Sequence, residues 1–243
     1  MPLIDLANPT RFMDLTGKIV PFLWGATGIV VLIALYLGLF IAPADAVQGE
    51  VARILFIHPP AAWLAMACYG VMSVAALGTL VWRHPLADVT QKAAAPIGAA
   101  FTLIGLVTGA IWGRPTWGTY WVWDARLTSF LILFIMYLGL IAVWRAVEDP
   151  GRAARAVAVL TLVGSINIPI IYFSVHWWNT LHQGASLITP EGTRIHPALL
   201  QALLAMMLGA TLLFAALLIT SMRTEILRRR VRSLRLSAAG AVS

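Results

Sequence analysis

At 243 residues, 60% hydrophobic and 11% charged, the chain carries too few charged side chains to cover a water-soluble globule of its size, so its solvent is a bilayer. The net charge of +7 raises nucleic acid as a partner. The basic residues, however, are spread over short segments beside apolar runs and over a tail, a pattern of membrane topology signals that excludes a groove-facing stripe.

Six apolar stretches, at about 19–41, 60–82, 93–112, 127–147, 155–174 and 198–221, are long enough to cross a hydrocarbon core ~30 Å thick at ~1.5 Å per residue. The expected fold is all-α and polytopic, with six transmembrane helices in a single integral membrane domain over 1–243. The first stretch follows Arg11 and Lys18 and precedes Ala42-Pro43-Ala44, as in a cleaved signal peptide. Its apolar run of roughly 22 residues exceeds the ~7–15 of a signal core, so it is expected to stay as an uncleaved helix. Next comes a connection at 42–59 ending in Phe56-Ile57-His58-Pro59-Pro60, whose prolines start the second helix and fix the His58 imidazole at its mouth. The second, third and fifth helices contain or border Pro or Gly, which membrane helices tolerate where neighbours re-satisfy the backbone. The third helix leads into an aromatic loop at 113–126, and the fifth ends near His176. The sixth runs into an Arg-rich tail at 222–243, expected to anchor topology at anionic lipid or to dock a cytoplasmic partner.

Lysine and arginine set the orientation, because cytoplasmic loops hold an excess of them. Thirteen of the 17 fall on one side: Arg11, Lys18, Arg83, Lys92, Arg145, Arg152, Arg155, Arg223, Arg228, Arg229, Arg230, Arg232 and Arg235. Only Arg53, Arg114, Arg126 and Arg194 fall on the other. Both termini are therefore expected in the cytoplasm, and the connections 42–59, 113–126 and 175–197 outside.

The aromatic loop holds Trp112, Trp117, Tyr120, Trp121 and Trp123 within 12 residues. Interface tryptophans occur singly near helix ends, whereas here Trp117, Tyr120, Trp121 and Trp123 fall within seven positions. Trp117 and Trp121 stand one helical turn apart, so a shared face forming a broad apolar shelf is expected, suited to a flat hydrophobic ligand. Asp124 and Arg126 close the loop, and two roles remain open for them. They cap the fourth helix or pair with each other, or Arg126 and Arg114 receive the ligand's carboxylates bidentately. Asp124 is a positioning group in either case, because no second carboxylate stands near it.

Four of the five histidines, His58, His176, His182 and His196, fall on the outer side. Neutral imidazole is a haem-iron ligand, and one histidine from each segment flanking the shelf supplies an axial pair, His58 and His182. His176 and His196 are weaker alternatives, and no His-x-x-His or cysteine partner supports zinc. The lone Cys68, within an apolar segment, leaves no Cys-x-x-Cys-His motif, so any haem is held without thioether bonds.

Three strings, Phe56-Ile57-His58-Pro59-Pro60-Ala61, Trp117-Gly118-Thr119-Tyr120-Trp121-Val122-Trp123-Asp124 and Trp177-Trp178-Asn179-Thr180-Leu181-His182-Gln183-Gly184, resemble the CcmC family of tryptophan-rich "WWD" haem-handling proteins, in order and over nearly the whole chain. Tyr120 departs from the pattern, standing where the motif has a tryptophan; it keeps stacking area and adds a phenol. The resemblance implies non-covalent haem b held at the periplasmic surface of the bacterial inner membrane. The family's axial histidines fall on His58 and His182 and its tryptophans on Trp117, Trp121 and Trp123; with the reading of the loop above, Tyr120 completes the platform and Arg114, Asp124 and Arg126 are the propionate or positioning candidates. It further implies delivery to the haem chaperone CcmE for cytochrome c biogenesis, with CcmA, CcmB and CcmD as partners and no enzymatic activity of its own. The chain has no phosphate-binding Gly-x-x-x-x-Gly-Lys-Ser/Thr, so any ATP use falls to a partner. Two other readings stand beside this one: a transporter moving haem through its own bundle, with Asn167 as the main polar candidate within the spans, and a structural subunit of an ABC-type complex.

Overall fold

A computed structural model describes residues 8–182, 192–193 and 195–240; Gln183, Gly184 and Arg194, which enter the motif and charge expectations above, lie outside the described residues. Six helical runs are long and apolar enough to cross a membrane: Pro9–Ile41, Glu50–Leu80, Ala87–Trp117, Ala125–Ala146, Pro150–Trp177 and Pro197–Ala239. Among the described residues there is no strand, only one isolated bridge between Asp45 and Gly49. The protein is an all-α, multi-pass membrane protein, as its hydropathy indicates.

The first, third, fifth and sixth spans overrun their expected bounds, and at the starts of the first, fourth and fifth a capping side chain sets the boundary. Helix α1 (Pro9–Tyr36) starts ten residues early, where the Asn8 side chain accepts the Thr10 N–H at 2.8 Å and Pro9 fills the first turn. It continues as one wide turn over Leu37–Ile41. Arg53, from the short 3-10 turn Glu50–Phe56, caps that end by donating to the carbonyls of Gly38 and Ala42. Helix α2 (His58–Leu80) opens on the expected Pro59-Pro60 pair, α3 spans Ala87–Trp117 and α4 spans Ala125–Ala146.

The fifth span is two helices, α5 (Pro150–Gly164) and α6 (Asn167–Trp177), broken at 165–166. Pro169 has no N–H to carry a ladder across the break. Ser165 Oγ donates back to Leu162 O, a carbonyl at the break, at 2.6 Å, and Asn167 Nδ2 donates to Ser129 O on α4 at 2.9 Å, which ties the start of α6 to its neighbour. Helix α7 (Pro197–Gly240) has 44 residues, about 66 Å of helix, so the basic tail is helical through residue 240.

Lipid tails are as apolar as leucine, so helix association in a bilayer rests on close packing and interhelical hydrogen bonds. Both are present here. Leu64, Cys68, Tyr69 and Met72 of α2 meet Leu133 and Tyr137 of α4, Val157 of α5 and Ile171 of α6 in one buried cluster. Gly98 of α3 leaves room for the Tyr137 ring, and Gly105 for that of Phe130. Tyr137 then donates to Ala65 O at 2.7 Å, an interhelical bond of the kind worth about 0.6 kcal/mol in a bilayer.

Contacts also define the two ends of the bundle. At one, Arg223 of α7 donates to Thr16 Oγ1 of α1 at 2.7 Å, and Lys92, Glu225, Arg229 and Asp88 form a chain of ion pairs at 2.7–3.0 Å. Glu225 is buried there between two cations. The start of α2, the end of α3, the start of α4 and the residues beyond α6 meet at the opposite end, where the histidines and tryptophans lie.

Candidate functional site

His58 is the first residue of α2, and its ring turns onto α3. Its Nδ1 lies 3.1 Å from Gly105 O and 3.2 Å from Thr108 Oγ1. A carbonyl only accepts, so Nδ1 carries the proton and donates it to Gly105 O, which leaves the lone pair on Nε2. The ring sits over Gly109, where a Cβ would come within 2.9 Å of Cε1, and stands edge-on to Trp112 at 5.8 Å. Trp112 Nε1 donates in turn to Gln48 Oε1 at 2.7 Å. Helix α3 thus forms a cradle that holds one imidazole in one tautomer.

His182 arrives from beyond α6 and meets α4. Asp124 is the N-cap of α4, with Oδ1 accepting the Leu127 N–H at 2.7 Å, so the capping role is realised. Its other oxygen, Oδ2, lies 3.6 Å from His182 Nδ1. Both of those atoms, and Trp121 Nε1, are buried without a hydrogen-bond partner. At 3.6 Å the two atoms are past hydrogen-bond distance, but the negative carboxylate facing Nδ1 favours the proton on that nitrogen, which leaves the lone pair on Nε2. Burial pulls the His182 pKa below its ordinary 6.5 and Arg126 adds to this, while Asp124 opposes it; the ring is neutral at neutral pH. Each histidine lies within electrostatic reach of the other and of Arg126.

The remaining histidines are built differently. His84 Nδ1 accepts the Leu86 N–H at 3.2 Å and His196 Nδ1 accepts the Ala198 N–H at 3.3 Å, which puts the ring proton on Nε2 and occupies the lone pair. His176 is exposed on the last turn of α6. Among the described residues no group of three or more His, Cys, Asp and Glu is placed to hold a metal ion.

The tryptophans depart from the expected shelf. Helix α3 runs on to Trp117 and ends at Gly118, whose φ of +79° is left-handed, and residues 119–124 are not helical. Trp117 and Trp121 therefore share no helical face, and the predicted loop 113–126 contracts to 118–124. Trp117 folds back over Gly113, where a Cβ would be 3.0 Å from its ring, and stands edge-on to His182 at 4.8 Å. Trp121 and Trp123 pair edge-to-face at 5.4 Å and line a groove of about 410 Å³ with Leu106, Val107, Ala110 and Leu131. Tyr120 is 60% exposed at the rim, with the Arg114 guanidinium 5.7 Å from its ring centre. Arg114 also donates to Gly118 O, and the partly buried Arg126 donates to Ile171 O on α6 at 3.2 Å. Arg126 is thus tied to the scaffold, and Arg114 is the cation at the surface.

Gln48, Gly105, Thr108 and Gly109 support the site without having been expected to, and Trp112, expected only as part of the aromatic loop, packs on His58. The spacing of Gly105, Gly109 and Gly113, four residues apart along one face of α3, was the signal that could have located them.

These features define a class: a six-span membrane protein presenting two neutral imidazoles and a tryptophan cluster at one end of its bundle. The family profile described as heme exporter protein C matches residues 2–237. Proteins named heme exporter protein C from Bradyrhizobium diazoefficiens (63% identical over 98% of this chain and 90% of the relative), Paracoccus denitrificans (46%, over 96% and 97%) and Escherichia coli K12 (46%, over 92% and 90%) are similar along their length. The chain belongs to the heme exporter protein C family.

Proposed function

We propose that this protein holds haem b non-covalently at the periplasmic face of the bacterial inner membrane, with iron between His58 and His182, and hands it to the haem chaperone CcmE for cytochrome c maturation. The observation that carries this reading is the orientation of two rings: His58 Nδ1 donates to Gly105 O, His182 Nδ1 faces the Asp124 carboxylate at 3.6 Å, and each ring is left with Nε2 for iron. The residues fit the cargo. The Gly109 cradle shapes one side, and the unpartnered Asp124 Oδ2 and His182 Nδ1 face each other as a carboxylate and an iron-bound histidine do. Trp117, Trp121 and Trp123 offer apolar rings, and Tyr120 and Arg114 suit the propionates at the rim. Arg126 acts by tying the start of α4 to α6.

The orientation rests on charge: the ion-paired basic end faces the cytoplasm with both termini, and CcmA, CcmB and CcmD assemble with the chain in the membrane. The protein is a carrier, not an enzyme, and ATP hydrolysis belongs to its partners. Asn167, the polar candidate for a transport path through the bundle, bonds Ser129 O and packs α6 on α4.

Haem-loaded protein mixed with purified CcmE soluble domain tests the reading. Its absorption spectrum is expected to pass to CcmE, and haem that stays on the membrane protein in wild type would refute delivery. Iron competes with protons for His182 Nε2. Because the His182 pKa lies below 6.5, haem retention is expected to stay level down to that pH and to fall only below it. Asp124→Asn keeps the helix cap, since asparagine caps as well as aspartate. It removes the charge behind His182, and retention at neutral pH is expected to drop ~10–100-fold with the fold intact.

A further inference from the structure

At the termini end, the lipid-facing side of α2 and α3 carries an apolar groove of about 640 Å³ lined by Gly70, Val74, Gly78, Trp82, His84 and Ala87 among others. Nothing lies within 4 Å of where a Gly70 Cβ would stand and Val74 is 71% exposed, so the groove is open there, while at Gly78 the two helices close, a Cβ there coming within 3.1 Å of Ala87. From Gly70 to the turn at Trp82 is 12 residues, about 18 Å of helix. That is roughly the depth of one leaflet of a ~30 Å core. A spanning helix from a partner would need contact across the full bilayer, whereas this groove stops halfway and matches an acyl chain.

Its mouth is polar on one side only. His84 accepts the Leu86 N–H through Nδ1, so its Nε2–H is a donor. Arg83 stands exposed between Trp82 and His84, held at φ +49°, the one non-glycine residue with positive φ among the described residues. A left-handed arginine is an unfavourable way to turn a chain, and here the turn is fastened by His84 N–H to Gly78 O at 3.0 Å and Ala87 N–H to His84 O at 3.0 Å. The groove is lined by Trp82 and His84, and the exposed Arg83 stands between them in the turn at its end; a cation and an N–H donor at that turn complement an amphiphile with an anionic head, and the 72%-exposed Trp82 is a residue type suited to headgroup depth.

We infer that this groove binds one anionic phospholipid of the leaflet at the termini end, its acyl chain along Gly70, Val74 and Gly78 and its phosphate at Arg83 and His84. The proposal does not rest on the haem reading. The full chain in mild detergent, titrated with phosphatidylglycerol or phosphatidylcholine and weighed by native mass spectrometry, tests it. One phosphatidylglycerol is expected to be retained in preference. Val74→Trp, which fills the slot from an exposed position, and the double variant Arg83→Gln with His84→Gln are each expected to lower retention about tenfold, while Arg232→Gln with Arg235→Gln on the tail leaves it unchanged. Equal retention of the two lipids, loss only in the tail variant, or a small polypeptide displacing the lipid would overturn it.

Discussion

His58→Ala and His182→Ala are each expected to turn six-coordinate haem into a five-coordinate form, and the double variant to lose haem on gel filtration. On the proposed reading each single change removes an iron bond, so its cost is expected to exceed the ~10–100-fold typical of a supporting partner. Neither disturbs the packed core: His58 is only the first residue of α2, His182 lies beyond α6, and the buried cluster around Leu64, Tyr69 and Tyr137 is elsewhere. Helical content and monodispersity are therefore expected to be unchanged. His196→Ala and His84→Ala serve as controls, because their Nδ1 lone pairs are occupied by backbone N–H groups, and both are expected to keep the wild-type Soret band.

The second large effect is expected from Gly109→Ala, one methyl group on a residue with no donor atom in its side chain. The added Cβ would meet His58 Cε1 at 2.9 Å, and the ring is boxed by Gly105 O and Trp112, so it must tilt off its hydrogen bond to yield. Crowding of this kind costs about 1–3 kcal/mol, which corresponds to roughly 5- to 150-fold in an equilibrium. Here it falls on the orientation of the proposed axial ligand. Haem titration should show an affinity loss in that range with the five-coordinate spectrum of His58→Ala. Gly139→Ala, at a glycine whose added Cβ meets nothing within 4 Å, is expected to be silent. A Gly109→Ala protein with wild-type affinity would mean that the His58 ring is not held by α3.

Membrane spans were legible in the sequence because bilayer thickness imposes a length that hydropathy reports directly. Their ends were not. Asn8 extends α1 and the basic tail continues α7 because capping and helix propensity act on polar residues that hydropathy discounts. Pro169 was visible as a helix breaker, and the Ser165 bond to Leu162 O is local, but the Asn167 bond that ties the start of α6 to α4 depends on which helix lies opposite. At the candidate site, the residue types were legible and their arrangement was not. Trp117 and Trp121 are four apart, which implies a shared face only if a helix continues through Gly118, and a left-handed glycine ends it. Asp124 could be expected to cap a helix from its place before an apolar run. That its second oxygen faces His182, more than fifty positions away, required the bundle.

The most direct measurement is low-temperature electron paramagnetic resonance of the ferric haem-loaded protein in wild type, His58→Ala and His182→Ala. Wild type is expected to give a low-spin signal of two neutral imidazoles, and each single variant a high-spin signal. A high-spin wild type, or a low-spin signal surviving in both variants, would contradict iron held between His58 and His182.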